Sequence, residues 1–112
     1  MVDYGAAKAA LADLAKALAK EFGPHGIRVN TVSSGPVATD LWLGAGGVAE
    51  TVARATGSTP QQIAAGAVAG TATGRFIHPD EVADAVVFLA GDRALNVTGA
   101  DLRIDGGLVP TW

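Results

Sequence analysis

The chain has 112 residues, 49% of them hydrophobic and 17% charged, with a formal net charge of −3 and no cysteine. That balance describes a folded globular domain and not a disordered segment, and it excludes disulfides and thiolate metal sites. No basic cluster and no long uninterrupted apolar run occurs, which argues against a nucleic-acid or membrane partner; the expected location is cytoplasmic.

The opening Met1-Val2-Asp3-Tyr4 has neither the basic nor the apolar stretch of a secretory signal. The first expected helix runs from Asp3 to Phe22. Leu11, Leu14, Leu18 and Phe22 recur at spacings of three and four, giving one apolar stripe, and the alanines between Ala6 and Ala19 favour helix. Gly23-Pro24 is expected to stop it, with His25-Gly26 completing the turn. Ile27 to Val32 is rich in β-branched residues and predicts a strand, ended by Ser33-Ser34-Gly35-Pro36. A helix followed at once by a short strand suggests the second half of a βαβ unit in a parallel sheet.

Leu41 to Arg75 is less regular. Gly44, Gly46 and Gly47 suggest a hinge, followed by a short helix from Val48 to Ala55. Thr59 reads as a helix cap, Pro60 as the first helical residue and Gln62 as the closing member of a capping box, with the helix running to about Val68. Gly66, Gly70 and Gly74 suggest a mobile segment. Pro79-Asp80-Glu81 opens another helix. Val82, Val86 and Leu89 form its expected buried face, with Ala83, Val87 and Ala90 beside them, and Gly91 its expected end. Thr98-Gly99 leads to a strand, Ala100 to Ile104, ended by Asp105-Gly106-Gly107. No internal repeat and no domain boundary is evident.

Tyr4 and Lys8 are four residues apart on a helix, so their side chains share a face. A phenol is a poor acid or base at neutral pH, and a neighbouring ammonium favours its phenolate. That is the arrangement general acid–base catalysis needs. The same spacing also occurs on solvated helix faces, so the pair alone does not decide.

Tyr4-Gly5-Ala6-Ala7-Lys8 resembles the Tyr-x-x-x-Lys active-site motif of the short-chain dehydrogenase/reductase family. Arg28-Val29-Asn30-Thr31-Val32, followed by Gly35-Pro36-Val37-Ala38-Thr39, resembles that family's strand and the Pro-Gly loop after it. His78-Pro79-Asp80-Glu81-Val82-Ala83 resembles its next helix start, and Thr98-Gly99 with Asp105-Gly106-Gly107 its carboxy-terminal strand. The motifs stand in family order over essentially the whole chain and favour the small single-domain group.

The resemblance implies an α/β, partial Rossmann-like (doubly wound) fold. Residues 1–112 would be its carboxy-terminal portion, the last helices and last two parallel strands only, with residues 41–75 as the substrate-covering segment. It implies an NAD(P)-dependent oxidoreductase interconverting a carbonyl and a secondary alcohol, with NAD or NADP as cofactor and no metal. Tyr4 would give its proton to the carbonyl oxygen or, as phenolate, take one from the alcohol. Lys8 would stabilise that phenolate and bind ribose hydroxyls. The Val37 backbone would bond the nicotinamide carboxamide, Thr39 would contact the carboxamide and a nearby phosphate, and Gly35 would keep the cofactor loop flexible. Trp42 and Leu43 would be substrate-pocket residues.

Two departures from the pattern matter. Ser34 stands where the family has proline. The glycine-rich phosphate loop of the family's first βαβ unit has no counterpart, because Gly44-Ala45-Gly46-Gly47 does not follow a strand. The family's serine and asparagine upstream of the tyrosine are likewise absent, and Ser33 and Ser34 sit on a different loop. The chain alone is therefore expected to be inactive, with an unpaired edge at Ile27 to Val32. It would bury such surfaces in a homo-oligomer or against a complementary N-terminal half. The alternative is a truncated, non-enzymatic relative acting as an oligomerising or partner-binding module.

Overall fold

The alanine-rich opening stretch, where little side-chain entropy opposes helix, forms α1, Val2–Phe22. The computed structural model describes residues 2–110. One 3₁₀ turn, Gly23–His25, follows directly and accommodates Pro24 near its start, where a missing N–H goes unmissed. The left-handed residue that releases the chain is Gly26 at φ 74°, its N–H donating to the Gly23 carbonyl. The α-helix thus ends at Phe22, before Gly23-Pro24 as expected, and Gly26 completes the turn.

The chain forms two compact units. The first holds the chain up to Ser33 together with Asp84–Arg103, and the second holds Ser34–Ala83 together with the chain from Ile104 onward.

The strand β1 spans Thr31–Ser34, shorter and later than the expected Ile27 to Val32. Its limits are set by its partner β2, Asp101–Ile104, with which it makes a two-stranded sheet. The Thr31 N–H donates to the Ala100 carbonyl and the Gly35 N–H to the Ile104 carbonyl, both at 2.9 Å. The register advances in one direction along both strands, so the pair is parallel. Ahead of β1, side chains replace the ladder. The Val29 N–H donates to Thr98 Oγ1, and the Asn30 amide donates to the Val97 carbonyl while accepting from the Ala100 N–H. Ser33 and Ser34 accordingly continue the strand instead of ending it.

The helix α5, Pro79–Ala90, contributes its later turns to the first unit. Gly91 ends it as expected: α5 stops at Ala90, and Gly91 is extended with its N–H bonding back to Val87 O. The carbonyls at the helix end are taken by Arg28, whose Nη1 donates to Leu89 O at 2.6 Å and whose Nη2 donates to Ala90 O at 3.3 Å. A cation there also complements the helix dipole. Leu89 is buried as expected, whereas Val86 and Val87 are 49% and 68% exposed. Apolar periodicity fixes which side of a helix is apolar, not what packs against it.

The second unit is built from α2, Asp40–Leu43, α3, Val48–Thr56, and α4, Pro60–Val68. Thr59 and Gln62 form the expected capping box, each side chain bonding the other's backbone N–H. Ala49, Ala53 and Val68 are buried in this unit. The expected hinge at Gly44 and Gly47 is a tight corner: a Cβ at either would come within 2.8 Å of the Asp40 carbonyl oxygen. The stretch after α4, expected to be mobile, is tied down. Thr71 is buried, its hydroxyl bonding Val68 O and Gly74 N–H, and the Thr73 N–H donates to Gly106 O. Among the described residues no helix is long and apolar enough to cross a membrane.

Candidate active site

Helical spacing brings Tyr4 and Lys8 together within the first unit. They lie one turn apart on α1, and Lys8 Nζ sits 5.6 Å from the Tyr4 ring centroid, over its face. That is cation–π range. Tyr4 is 58% exposed. Ser33 is committed elsewhere, donating to Asp101 Oδ1 at 2.7 Å. That bond, with a second from Thr31 and the charge of Arg103, holds the Asp101 carboxyl below its ordinary range.

The second unit carries Gly35, Val37 and Thr39. Gly35 passes so close to the loop after β2 that a Cβ would lie 2.9 Å from Asp105 Cα, which no other residue tolerates without movement. Val37 then forms a parallel bridge with Ile77. Ile77 N–H donates to Pro36 O at 2.9 Å, and Ala38 N–H donates to Ile77 O at 2.8 Å. In an extended chain this pattern turns the N–H and C=O of Val37 itself to the opposite side. The Val37 carbonyl accepts there from Thr39 N–H at 2.8 Å. Thr39 precedes α2 but does not cap it with its side chain, leaving the hydroxyl on a long 3.5 Å contact to Val37 O.

Trp42 and Leu43 follow on α2. Trp42 is half-buried and meets Phe76 edge-on, with centroids 5.8 Å apart. Leu43 lines an open depression of about 330 Å³ together with Ala49, Glu50, Pro60 and Ala64. Trp42 is not among its lining residues, so the two candidate pocket residues have different surroundings.

Residues 1–109 match the family model described as Enoyl-(Acyl carrier protein) reductase. The chain is 42% identical over 110 residues to D-threitol dehydrogenase of Mycolicibacterium smegmatis, a match that covers 95% of this chain and 36% of that enzyme. A short chain dehydrogenase family protein from Francisella tularensis superposes with a TM-score of 0.89 at 31% identity, over 96% of this chain and 43% of that one. The chain belongs to the short-chain dehydrogenase/reductase family. L-sorbose reductase from Gluconobacter frateurii, a family relative solved with NADPH and L-sorbose, superposes with a TM-score of 0.87 at 30% identity. It is covered to 41% of its length, and 97% of this chain is matched. The fold is thus part of a Rossmann-like short-chain dehydrogenase domain, and the chain spans about two fifths of the relatives it matches.

Two further carboxylates, not singled out by any motif, are held by bonds near these segments. Glu81 accepts from Arg75 Nη2 at 2.7 Å, from Arg75 Nη1 at 2.8 Å and from His78 N–H at 2.7 Å. These bonds pull its carboxyl down to about 2. The signal was half legible, because an acid three residues past a helix cap is one member of a capping box. Glu50, beside the depression, bonds the Gly46 N–H and Arg54, which together lower its carboxyl. Its pairing with Arg54 follows the i, i+4 rule and could have been read from spacing.

Proposed function

We propose that this chain is the catalytic portion of an NAD(P)-dependent oxidoreductase that interconverts a carbonyl and a secondary alcohol. What carries the reading is the exposed Tyr4 phenol with the Lys8 ammonium over its ring, one helical turn away. In reduction Tyr4 donates its phenolic proton to the carbonyl oxygen, and in oxidation its phenolate takes the proton of the alcohol. Lys8 stabilises that phenolate and offers N–H donors to ribose hydroxyls.

The residues present fit the nicotinamide end of a dinucleotide. Val37 N–H makes no hydrogen bond among the described residues and faces away from Ile77, as a donor to a carboxamide must. Thr39 has a hydroxyl not spent on helix capping, suited to the carboxamide and a phosphate oxygen. When bound, NAD(P) would supply or accept the hydride. Trp42 and Leu43 would shape the substrate side. The phosphate-gripping loop would come from a complementary glycine-rich half, and a cytoplasmic setting would suit a chain without cysteine.

The test is NAD(P)H turnover after mixing the chain with a glycine-rich half. Tyr4→Phe should lower the rate by about a hundredfold or more, the usual worth of a positioned acid–base group. Undiminished turnover in Tyr4→Phe would remove the assignment. Fluorescence titration of the chain alone should show no NADH or NADPH binding at micromolar concentration.

A second reading is an association module without catalysis. It draws on the half-exposed Leu11 and Leu14 of α1, which monomeric chains tend to cover. Turnover in the mixture would set it aside.

A further inference from the structure

We infer that the Arg75–Glu81 ion pair is a positioning device for the loop Pro36–Thr39, acting through the backbone of Phe76–His78. The inference rests on the reading that this loop faces the nicotinamide.

The extended backbone of Phe76–His78 has two edges, and each carries hydrogen bonds. On one edge, Ile77 N–H and C=O bond Pro36 O and Ala38 N–H. On the other edge point the Phe76 carbonyl and the His78 N–H, as alternation along an extended chain requires. These two groups are the ones the ion pair takes. Arg75 Nη1 donates to Phe76 O at 2.9 Å, and Glu81 Oε2 accepts from His78 N–H at 2.7 Å. The fork between guanidinium and carboxylate then closes the ring, at 2.8 Å and 2.7 Å. The pair stands where a further strand would otherwise supply ladder bonds.

Its geometry is that of a local clamp. Both side chains are well exposed, 52% for Arg75 and 40% for Glu81. Exposed ion pairs add little to global stability. A bidentate fork is directional, however, and fixes orientation even where it adds little stability. Glu81 is rooted in the first turn of α5, so the clamp references Ile77 to a helix instead of to a loop. Ile77 is itself buried, which removes its side chain as a source of slack. The line of bonds ends at Val37, whose N–H faces outward from the bridge. Phe76, held by the same clamp, meets the edge of Trp42. One ion pair therefore references both the carboxamide donor and a candidate pocket wall.

Hydrogen exchange on the full chain, read residue by residue, tests this without any cofactor. Glu81→Gln keeps an oxygen for the His78 N–H but loses the charged fork, and Arg75→Lys keeps the charge but loses the fork. Both should speed exchange at Ala38 and Ile77 by about tenfold. Exchange at Gly35, bonded to Ile104, and at Ile63 in α4 should stay unchanged. Glu50→Gln, which breaks a different exposed pair, with Arg54, should leave Ala38 and Ile77 as they were. Unchanged exchange at Ala38 and Ile77, or uniform acceleration across the second unit, would overturn the proposal.

The second readout uses the mixture with a glycine-rich half. Glu81→Gln should raise the KM for NAD(P)H about tenfold and change kcat less than about twofold, the mark of weakened cofactor positioning. Local acceleration of exchange with an unchanged KM would overturn the link to the cofactor. If the unaltered mixture turns over no NAD(P)H, the oxidoreductase reading falls and the nicotinamide role with it. The exchange data then decide alone whether the pair fixes Pro36–Ala38.

Discussion

Glu81 lies at the surface, yet its carboxyl titrates at about 2 where 4.5 is ordinary. The hydrogen bond from Arg75 is the largest cause, followed by the His78 N–H. Because the folded-state value is depressed, the carboxylate's contribution to stability is complete above about 4.5. It is lost as pH falls from there through about 2, when protonation unmakes the fork. The Glu81→Gln variant has no such contribution to lose. Its urea midpoint should therefore lie below that of the unaltered chain near neutral pH, and the gap should close as the solution approaches pH 2. A gap of constant size across that window would contradict the assignment. The Tyr4–Lys8 pair was legible from spacing because both residues lie within one turn of one helix. The Arg75–Glu81 pair was not, because an irregular stretch separates its members and spacing there fixes no common face.

At the scale of elements, legibility follows the range of the signal. The Thr59–Gln62 capping box is local, and α4 begins where the sequence says it should. Thr59→Ala should destabilise the second unit by about 1 kcal/mol, seen as a lower denaturant midpoint. β1 was misplaced because its ends depend on β2, some seventy residues later, and no local pattern encodes that partner. The end of α5 lies at Gly91 as read, but the partner of its last carbonyls is non-local. Arg28 looks like one residue of a strand, but its guanidinium reaches across to four carbonyl oxygens, those of Leu89, Ala90, Gly91 and Val97. Arg28→Met keeps most of the stem and removes the donors. It should cost about 2 kcal/mol, typical for hydrogen bonds to a charged group, and should leave the α5 end open to exchange. No change in the exchange of the last α5 amides would show the cap to be idle.

For the whole molecule, the decisive fact is how much apolar surface is left uncovered. The stripe Leu11, Leu14, Leu18 and Phe22 was read correctly as apolar, but Leu11 and Leu14 remain 53% and 52% exposed. On α5, Val87 is 68% exposed. The chain spans about two fifths of the relatives it matches, and in a longer chain or an assembly such side chains would have neighbours. If the chain self-associates, α1 is the expected surface, since its alanines allow close helix approach and its leucines supply the apolar area. Completing the burial of a half-exposed leucine is worth about 1 kcal/mol. In a symmetric pair Leu14→Lys removes that gain twice, about 2 kcal/mol, which weakens association roughly thirtyfold. Sedimentation at micromolar concentration should therefore show oligomers for the unaltered chain and a shift toward monomer for Leu14→Lys. Lysine is a good helix former, so α1 itself should survive the substitution with its circular-dichroism signal intact. An unaltered chain that sediments as a monomer would contradict self-association through α1.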